Sequence, residues 1–269
     1  MNNQQSKTTI IKNHFLIFYN MNKDSKKIIL KMRDSGESHY TSKPLLFNIP
    51  FKLIVVGRSQ LAGKTNWLGN ILLRKEFYLD DFKGEDIFLI SPSTSVDKKL
   101  ATIIDVKEIP MTNILSAYDE EILETVYQLM EQDYIEAVEN KKRVPNKLVI
   151  FDDMSFGGGL KSKQNGVMSK LFCNGRHINV STIVTAQKYT DILSTCRENT
   201  TGAVLFSSTD KQLDLISEDH NYLETKKAFR KMFREATTEK HSFLVVNYSN
   251  EPQERYLDST FQPISTGKS

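Results

Sequence analysis

The sequence predicts a three-layer α/β fold with a mostly parallel central sheet and an N-terminal arm. From residue 51 onwards, short continuous apolar runs recur, which is typical of strands in a sheet that is covered on both faces. Candidate helices lie between these runs, and such alternation favours parallel strand connections. The 269 residues, of which 39% are hydrophobic and 26% charged, are enough for one large α/β domain with a substantial core.

Six apolar runs are the candidate strands, and they cover residues 51–57, 86–91, 147–153, 179–187, 202–206 and 243–246. Helices are predicted over residues 64–74, 117–140, 210–218 and 223–235. In the helix near 117–140, apolar side chains at i, i+4, i+7 and i+8 predict one buried face. These side chains are Ile122, Val126, Leu129 and Met130.

The N-terminal part differs in composition from the rest of the chain. Residues 1–45 are polar and rich in Lys and Asn, with apolar segments at 14–19 and 28–30. We predict an arm or small subdomain there, followed by one main domain over residues 46–269.

Charge, hydropathy and cysteine usage exclude several classes of protein. The net charge of +3 permits contact with DNA only through a local patch. No apolar run reaches the ~18–20 residues needed to cross a bilayer, and no signal-peptide cleavage site follows residues 14–19. Cys173 and Cys196 form no C-x-x-C pair, which predicts reduced thiols. We therefore expect a soluble, unexported protein with no membrane segment.

The segment GRSQLAGKT resembles a phosphate-binding loop, whose pattern is G-x-x-x-x-G-K-[ST]. Here five residues rather than four separate Gly57 from Gly63. A predicted strand precedes the loop and a predicted helix follows it, so backbone N–H groups at the helix N-terminus can bind phosphates. Lys64 would reach the β- and γ-phosphates, and the Thr65 hydroxyl would bind Mg²⁺. The candidate nucleotide-binding residues are Gly57, Arg58, Ser59, Gln60, Leu61, Ala62, Gly63, Lys64, Thr65 and Asn66.

The extra loop residue allows two alignments. Either Gly57 is the first glycine and one of residues 58–62 bulges, or Arg58 takes the first position and Gly57 ends the strand. We favour the first alignment, because a glycine directly after an apolar strand suits a tight turn. Leu61 would be strained at positive φ, so we expect the bulge between Arg58 and Gln60. A Gly-Lys-Thr at an ordinary strand–helix corner is the alternative for this motif alone.

Polar residues end two further apolar runs. Asp152 and Asp153 follow the run KLVIF, where Asp152 would bind Mg²⁺ opposite the loop and Asp153 would orient and deprotonate an attacking water. Gln187 ends the next run, and its amide could reach the γ-phosphate or that water. The alternatives are acidic residues that cap a helix and a solvated loop glutamine.

With these motifs, the chain resembles the FtsK–HerA superfamily of P-loop ATPases, and more closely the poxvirus-type genome-packaging ATPases. Four segments carry the resemblance in order, and they span about residues 55–206: VVGRSQLAGKT, LVIFDDM, GRHINVSTIVTAQ and CRENTTGAVLF. It implies a RecA-like P-loop NTPase fold of the ASCE type, with an additional strand between the loop strand and the acidic strand. ATP and Mg²⁺ are the implied cofactors.

The resemblance also implies residue roles. The loop lysine and threonine, the acidic pair and the sensor glutamine match the family's motifs at the positions given above. Arg197 in CRENT matches a family arginine that could act as a finger on a neighbouring subunit's nucleotide. Arg176 in GRH is the alternative finger, or a residue that helps to bind DNA or phosphate. The longer loop departs from the family pattern and leaves the roles of Gly57, Arg58 and Ser59 open.

The function implied is a Mg²⁺-dependent ATPase that translocates double-stranded DNA and packages a viral or mobile-element genome. The implied partners are duplex DNA, further copies in a ring, and capsid or portal-vertex proteins, in the host cytoplasm, at the assembly site or in the virion. The alternatives are a helicase or segregation translocase, and a nucleotide-dependent scaffold without appreciable hydrolysis. Asp153 and Gln187 argue against the scaffold, because a pure binder needs neither.

Two basic segments are candidate DNA contacts, which would make binding salt-dependent. The alternative for each is a solvated, charged surface. The five histidines are scattered, and we assign them no catalytic role. The basic residues are Lys141, Lys142, Arg143 and Lys147 in the first segment, and Lys227, Arg230, Lys231 and Arg234 in the second.

Overall fold

An eight-stranded sheet forms the centre of the computed structural model, which describes residues 43–58, 62–153 and 166–265. Its strands are β1 (Lys52–Val56), β2 (Ile87–Ile90), β3 (Ile114–Leu115), β4 (Lys147–Phe151), β5 (Val180–Ala186), β6 (Gly202–Phe206), β7 (Phe243–Asn247) and β8 (Tyr256–Leu257). They lie in the order β3-β2-β4-β5-β1-β6-β7-β8. The six strands from β3 to β6 run parallel, whereas β7 is antiparallel to both of its neighbours.

Helices cover both faces of this sheet. They are α1 (Lys64–Leu73), α2 (Lys98–Lys107), α3 (Glu120–Glu139), α4 (Val167–Asn174), α5 (Ser194–Glu198), α6 (Asp210–His220) and α7 (Lys226–Ala236). Side chains cap three of them: Asp97 accepts hydrogen bonds at the start of α2, Asp119 does so for α3, and Thr225 for α7. Such caps satisfy backbone donors that have no partner within the helix.

Alternate residues of the buried strands point to opposite faces and build two separate cores. On one face, Leu53 and Val55 of β1 pack with α1 and α2. On the other face, Ile54 and Val56 pack with α3, α4, α6 and α7. Together with the sheet order, this confirms the predicted three-layer α/β fold. Strand β5 lies between β1 and β4, which is the additional strand that the resemblance implied.

The helix predicted near residues 117–140 is confirmed as α3, but its predicted apolar face is buried only in part: Met130 is buried and Val126 packs against the core. Leu123, Tyr127 and Met130 are buried, whereas Ile122 is 45% exposed and Leu129 59% exposed. The buried residues have the same i, i+4, i+7 spacing, shifted by one position. Because apolar residues occupy both adjacent faces, the spacing could not distinguish the face that meets the sheet.

Several elements were absent from the sequence prediction. They are the short edge strands β3 and β8, and the helices α2, α4 and α5. The predicted arm over residues 1–45 lies almost wholly outside the described residues, so its boundary stays a prediction. None of the described helices is long and apolar enough to cross a bilayer.

Candidate nucleotide-binding and catalytic site

The sequence motifs meet at one edge of the sheet, where the parallel strands β1, β4 and β5 end. The register pairs Val56 of β1 with Ala186 of β5, and Phe151 of β4 with Val184 of β5. The residues that follow these strand ends therefore share this edge. In open α/β sheets, ligands bind outside the carboxyl ends of the strands.

Asp152 is held in a row of side chains across three strands. Its carboxylate accepts hydrogen bonds from Thr185 Oγ1 at 2.8 Å and from Ser91 Oγ at 3.1 Å. The residue is only 3% exposed, and burial raises the pKa of this carboxyl although the two hydroxyl donors act in the opposite direction. The site thus holds a desolvated carboxylate in a fixed orientation, as a metal ligand requires.

Sequence reasoning missed both hydroxyl partners of Asp152. Ser91 directly follows β2, and Thr185 lies inside β5, two residues before Gln187. Only the strand register brings them beside the carboxylate, since Ile90 pairs with Phe151 and Phe151 with Val184. The signal in the sequence is a hydroxyl residue near the end of each neighbouring strand.

Asp153 and Gln187 are in direct contact. Gln187 Nε2 donates to both carboxylate oxygens of Asp153, each at 3.0 Å. The Asp153 backbone is left-handed, with φ 48°, and its N–H donates to Thr185 Oγ1 at 3.0 Å. Aspartate tolerates this conformation better than most residues. The predicted base and the predicted sensor therefore form one unit, anchored to the same threonine that holds Asp152.

Lys64 is buried at the start of α1 and directed back over the loop. Its Nζ donates to the Gly57 carbonyl at 2.7 Å. Burial lowers the pKa of Lys64, and the carboxylates of Asp153 and Asp152 oppose this shift. Gly63 just before the helix has φ 91°, which is a conformation that glycine adopts readily. Lys64 thus carries its charge beside both acids.

The loop packs closely at Gly57. A methyl group added there would lie 2.5 Å from Ala62 Cβ and 2.9 Å from Phe206 Cβ. The Ala62 N–H donates to the Arg58 carbonyl at 3.2 Å. Residues 59–61, where most of the predicted bulge falls, lie outside the described residues, so the choice of loop alignment stays a prediction.

Arg197 makes its contacts within its own chain. Its Nη1 donates to Asp219 at 2.9 Å, its guanidinium lies 5.1 Å from the centre of the Tyr189 ring, and its side chain is 16% exposed. The Tyr189 hydroxyl also donates to Asp219 and contacts His220. Burial, with the nearby Arg197 charge, lowers the pKa of His220 to about 3. Tyr189 follows Gln187 by two residues, so this network supports the segment that carries the predicted sensor.

Arg176 lies at the amino-terminal end of the parallel strands, opposite to the candidate site, in the short turn Gly175–Ile178 that precedes β5. It is exposed, and its Nε lies 3.4 Å from His177 Nε2. Burial lowers the pKa of Lys52 at the start of β1, and the positive charge of Arg176 lowers it further. Arg176 is therefore distant from the candidate nucleotide site of its own chain.

Ion pairs occupy much of the two basic segments. Lys147 is buried in β4 and pairs with Asp133 at 2.6 Å, so its prediction as a DNA contact is wrong. Arg234 pairs with Asp210 at 2.5 Å, and Arg230 pairs with Asp210 and Asp214. Within the described part of the chain, the exposed cations of these segments that carry no ion pair are Lys141, Lys142, Arg143 and Lys227.

The sequence matches a known family, and the fold matches solved structures. The profile of the family described as Poxvirus A32 protein matches residues 37–258. The genome packaging NTPase B204 from Sulfolobus turreted icosahedral virus 2, solved in complex with AMP, is 13% identical, with a TM-score of 0.51 over 74% of this chain and 93% of that chain. EssC (ATPases 2 and 3) from Geobacillus thermodenitrificans is 12% identical, with a TM-score of 0.47 over 65% and 36%. No curated protein matches.

Proposed function

Because the chain belongs to the poxvirus A32 protein family, we propose that it is an ATP-driven motor that packages DNA into a viral capsid. The observation that carries the proposal is the contact between Gln187 and Asp153 beside the buried Asp152. A scaffold that only binds a nucleotide does not need a general base that is held in a fixed position. The genome packaging NTPase B204 has the same fold, which supports the motor further.

The residues present fit ATP and Mg²⁺. Asp152 offers a buried carboxylate that two hydroxyls orient, and Thr65 offers a hydroxyl in the first turn of α1. Hard oxygen donors of this kind are what Mg²⁺ prefers. A bound Mg²⁺ would neutralise charge that develops on the phosphate oxygens. The N-terminus of α1 and the Lys64 ammonium would receive the phosphates themselves.

The chain's own groups would divide the hydrolytic step between them. Asp153 would accept a proton from the attacking water on a carboxylate oxygen. Gln187 would hold that carboxylate in place and release one of its two contacts as the water enters. Lys64 would exchange the Gly57 carbonyl for a phosphate oxygen, which satisfies the ammonium in both states.

The proposal includes duplex DNA, a ring of subunits and a capsid or portal-vertex protein as partners, at the site of viral assembly. Arg197 remains the proposed finger toward a neighbouring nucleotide, with Arg176 as its alternative. The four exposed cations named above are the proposed contacts to the phosphate backbone. The second candidate function is a helicase or segregation translocase, which would use the same ATPase mechanism.

The test is ATP turnover with and without duplex DNA, at constant salt. We expect Mg²⁺-dependent hydrolysis that duplex DNA stimulates, and loss of hydrolysis in Asp152→Ala and Thr65→Ala. ATP binding without hydrolysis in either condition would favour the scaffold. If duplex DNA of several lengths leaves the rate of hydrolysis unchanged, the proposal of a DNA motor is contradicted.

A further inference from the structure

One flank of α3 exposes a stripe of apolar side chains. Ile122 is 45% exposed and Leu129 is 59% exposed, and the half-buried Val126 lies between them. Their spacing of i, i+4 and i+7 makes them neighbours along one side of the helix. Apolar residues that are exposed singly are ordinary on protein surfaces, whereas a contiguous patch marks a site of interaction.

This stripe faces away from the other helices of its layer. On the opposite flank of α3, Glu124 pairs with Lys170 of α4 at 2.6 Å. On the side of the stripe, one turn after it, Asp133 pairs with Lys147, which also lies 3.8 Å from Asp86 just before β2. The stripe is therefore on the outer side of α3, toward the end of the sheet that β2 and β3 form.

The helix that carries the stripe is strongly acidic. It contains seven carboxylates and no cation over Glu120–Glu139. Glu121, Glu136 and Glu139 are exposed, and none of them forms an ion pair with a described residue. Because such a surface repels the phosphate backbone of DNA, its partner must be a basic surface on a protein.

The other end of the same helix layer is basic. Helix α7 packs on β7, next to the edge strand β8, and contains five cations and one carboxylate over Lys226–Ala236. Arg230 and Arg234 pair with carboxylates of α6. The exposed residues Ala228 and Lys231 therefore lie on the flank of α7 that faces away from α6.

Tyr222 adds an exposed aromatic ring to the basic end. It is 58% exposed, and its N–H donates to the Tyr256 hydroxyl of β8 at 2.8 Å. The guanidinium of Arg255 lies 4.1 Å from the centre of its ring. Tyrosine and arginine are enriched in protein interfaces, and a rigid ring loses little conformational entropy when it is covered.

We infer that the α3 surface of one copy of the chain docks on the α7 surface of the next copy, an inference that rests on the ring in the proposed function. The two surfaces lie at opposite ends of one helix layer, so the fold keeps them apart within one chain and each copy uses both. A head-to-tail contact of this kind generates a ring when its rotation closes. The α3 surface is Ile122, Val126, Leu129 and Glu136, and the α7 surface is Tyr222, Ala228 and Lys231.

The charges also determine which contacts between copies are favoured. A two-fold contact between two α3 surfaces would place carboxylates against carboxylates, and like charges in an interface cost free energy. The same holds for two α7 surfaces. The head-to-tail contact instead places acidic residues beside basic ones and covers the stripe with Tyr222 and Ala228.

The first experiment measures self-association of the full chain by sedimentation velocity over a series of concentrations. Glu136→Lys and Lys231→Glu should each weaken association by roughly 10-fold or more, because each places like charges in the contact. A chain that carries both changes should recover part of the loss. Glu131→Lys is the matched control, because it lies seven residues after Glu124 and so on the flank that faces α4.

The second experiment tests the apolar stripe by the same measurement. Leu129→Ser should weaken association by roughly 5- to 30-fold, the range for a side chain at the centre of an interface. Ile135→Ser removes another exposed apolar side chain of α3, eleven residues after Glu124 and so on the flank that faces α4. We expect Ile135→Ser to associate like the wild type.

The third experiment identifies the surfaces that meet, by cross-linking with a flexible bismaleimide. A chain with both Leu129→Cys and Ala228→Cys should form a ladder of linked copies that continues beyond the dimer. Each change alone should give no more than the background from Cys173 and Cys196, which the wild type measures. Linked dimers of Leu129→Cys alone would show a two-fold contact and would overturn the inference.

The outcomes separate this inference from the proposed function. If Glu136→Lys, Lys231→Glu and Leu129→Ser all associate like the wild type, the inference is wrong, while ATP turnover still supports the ATPase. If these variants assemble normally but no longer bind the capsid or portal-vertex protein, that protein covers the α3 surface and the inference is again wrong. A wild type that stays monomeric with Mg·ATP and duplex DNA would overturn the inference together with the proposed ring.

Discussion

The two sides of β1 are built from different chemistry at the same sheet edge. Toward β4 and β5, the side chains are polar and satisfied: Thr185 and Ser91 hold Asp152, and Gln187 holds Asp153. Toward β6 and β7, the side chains beside α1 are aromatic, among them Phe206 and Phe243, and Trp67 keeps a buried donor without a partner among the described residues.

This difference separates satisfied groups from an unsatisfied one. Groups that act in a reaction need fixed orientation before the substrate arrives, so a closed hydrogen-bond network suits the acidic side, and variants there should change turnover. The aromatic side instead holds a buried donor without a partner among the described residues, which costs free energy until a group accepts its hydrogen bond.

Asp153→Asn should break the acidic side alone. The change keeps the side-chain shape but removes the general base, so we expect turnover to fall by ~10²–10⁴. ATP affinity should stay near wild type. Asp105→Asn, which alters an exposed carboxylate on α2, is the matched control. Wild-type turnover in Asp153→Asn would show that another group takes the proton.

Arg197→Ala tests whether one subunit supplies all the groups that hydrolysis needs on the acidic side. As a finger in trans, its loss should leave ATP binding normal and slow hydrolysis by ~10³-fold. Mixing it with Asp153→Asn should then restore part of the activity, because some interfaces carry both intact groups. Arg197→Lys, which keeps the charge but loses the fork, controls for charge alone.

The contacts of Arg197 define the competing result. Its bond to Asp219 and its place over Tyr189 suit a residue that supports the Gln187 segment in cis. If cross-linking shows that the two variants assemble together and activity is still not restored, Arg197 either acts in cis as described or is not the finger. In the second case Arg176 is the finger.

Gly57→Ala acts on the boundary between the two sides. A methyl group would lie 2.5 Å from Ala62 Cβ, and overpacking of this kind costs ~1–3 kcal/mol. We expect both ATP and tripolyphosphate to bind roughly 5- to 100-fold more weakly, as measured by calorimetry. Ala62→Gly in the same chain should recover part of the loss. Wild-type affinity in Gly57→Ala would mean that the loop relaxes freely.

Deletion of Gln60 then separates the two loop alignments, because the crowding makes Gly57→Ala damaging under both. If Gly57 is the first loop glycine, the deletion restores ordinary spacing and nucleotide binding should persist. If Arg58 takes that position, the deletion moves Gly63 and Lys64 out of register and binding should be lost.

The fold could be predicted from sequence because its strands are buried on both faces. The runs KLIVV and KLVIF are apolar at almost every position, and they became β1 and β4. Strand β3 has only two residues, which is too short for a pattern. The predicted face of α3 was only partly right, because apolar residues also occupy exposed positions such as Ile122 and Leu129.

The candidate site divides in the same way. Lys64 begins the helix after the loop that follows β1, and Asp152 and Gln187 directly follow strands, so their meeting at one end of the sheet could be anticipated. Thr185 and Ser91 required the strand register, and the aromatic surroundings of Trp67 required tertiary packing of β6, β7 and α1. No periodicity in the sequence records which side chains remain without a partner.

Asp152→Asn should have the smallest effect of these variants. It tests how much stability the protein loses by burying the charged carboxylate in its hydrogen-bond network. Burial raises the pKa of Asp152, so the folded protein disfavours the ionised form more than the unfolded chain does. Wild-type stability is therefore reduced as the pH rises through the pKa of the folded carboxyl, whereas asparagine has no charge to desolvate. Without nucleotide, we expect the variant to melt ~2–4 °C higher at pH 8, as ~1 kcal/mol would give.

That gain should shrink as the pH falls through the pKa of folded Asp152 toward the lower pKa of the unfolded chain, because the wild-type carboxyl of the folded protein then becomes neutral as well. Mg·ATP should reverse the order, since only the wild type gains a metal ligand and the stabilisation that comes with binding. Scanning calorimetry across pH, with and without Mg·ATP, measures both effects. A variant that melts lower at every pH would mean that the two hydroxyl donors outweigh the burial, and that the acidic side carries no stored cost for function.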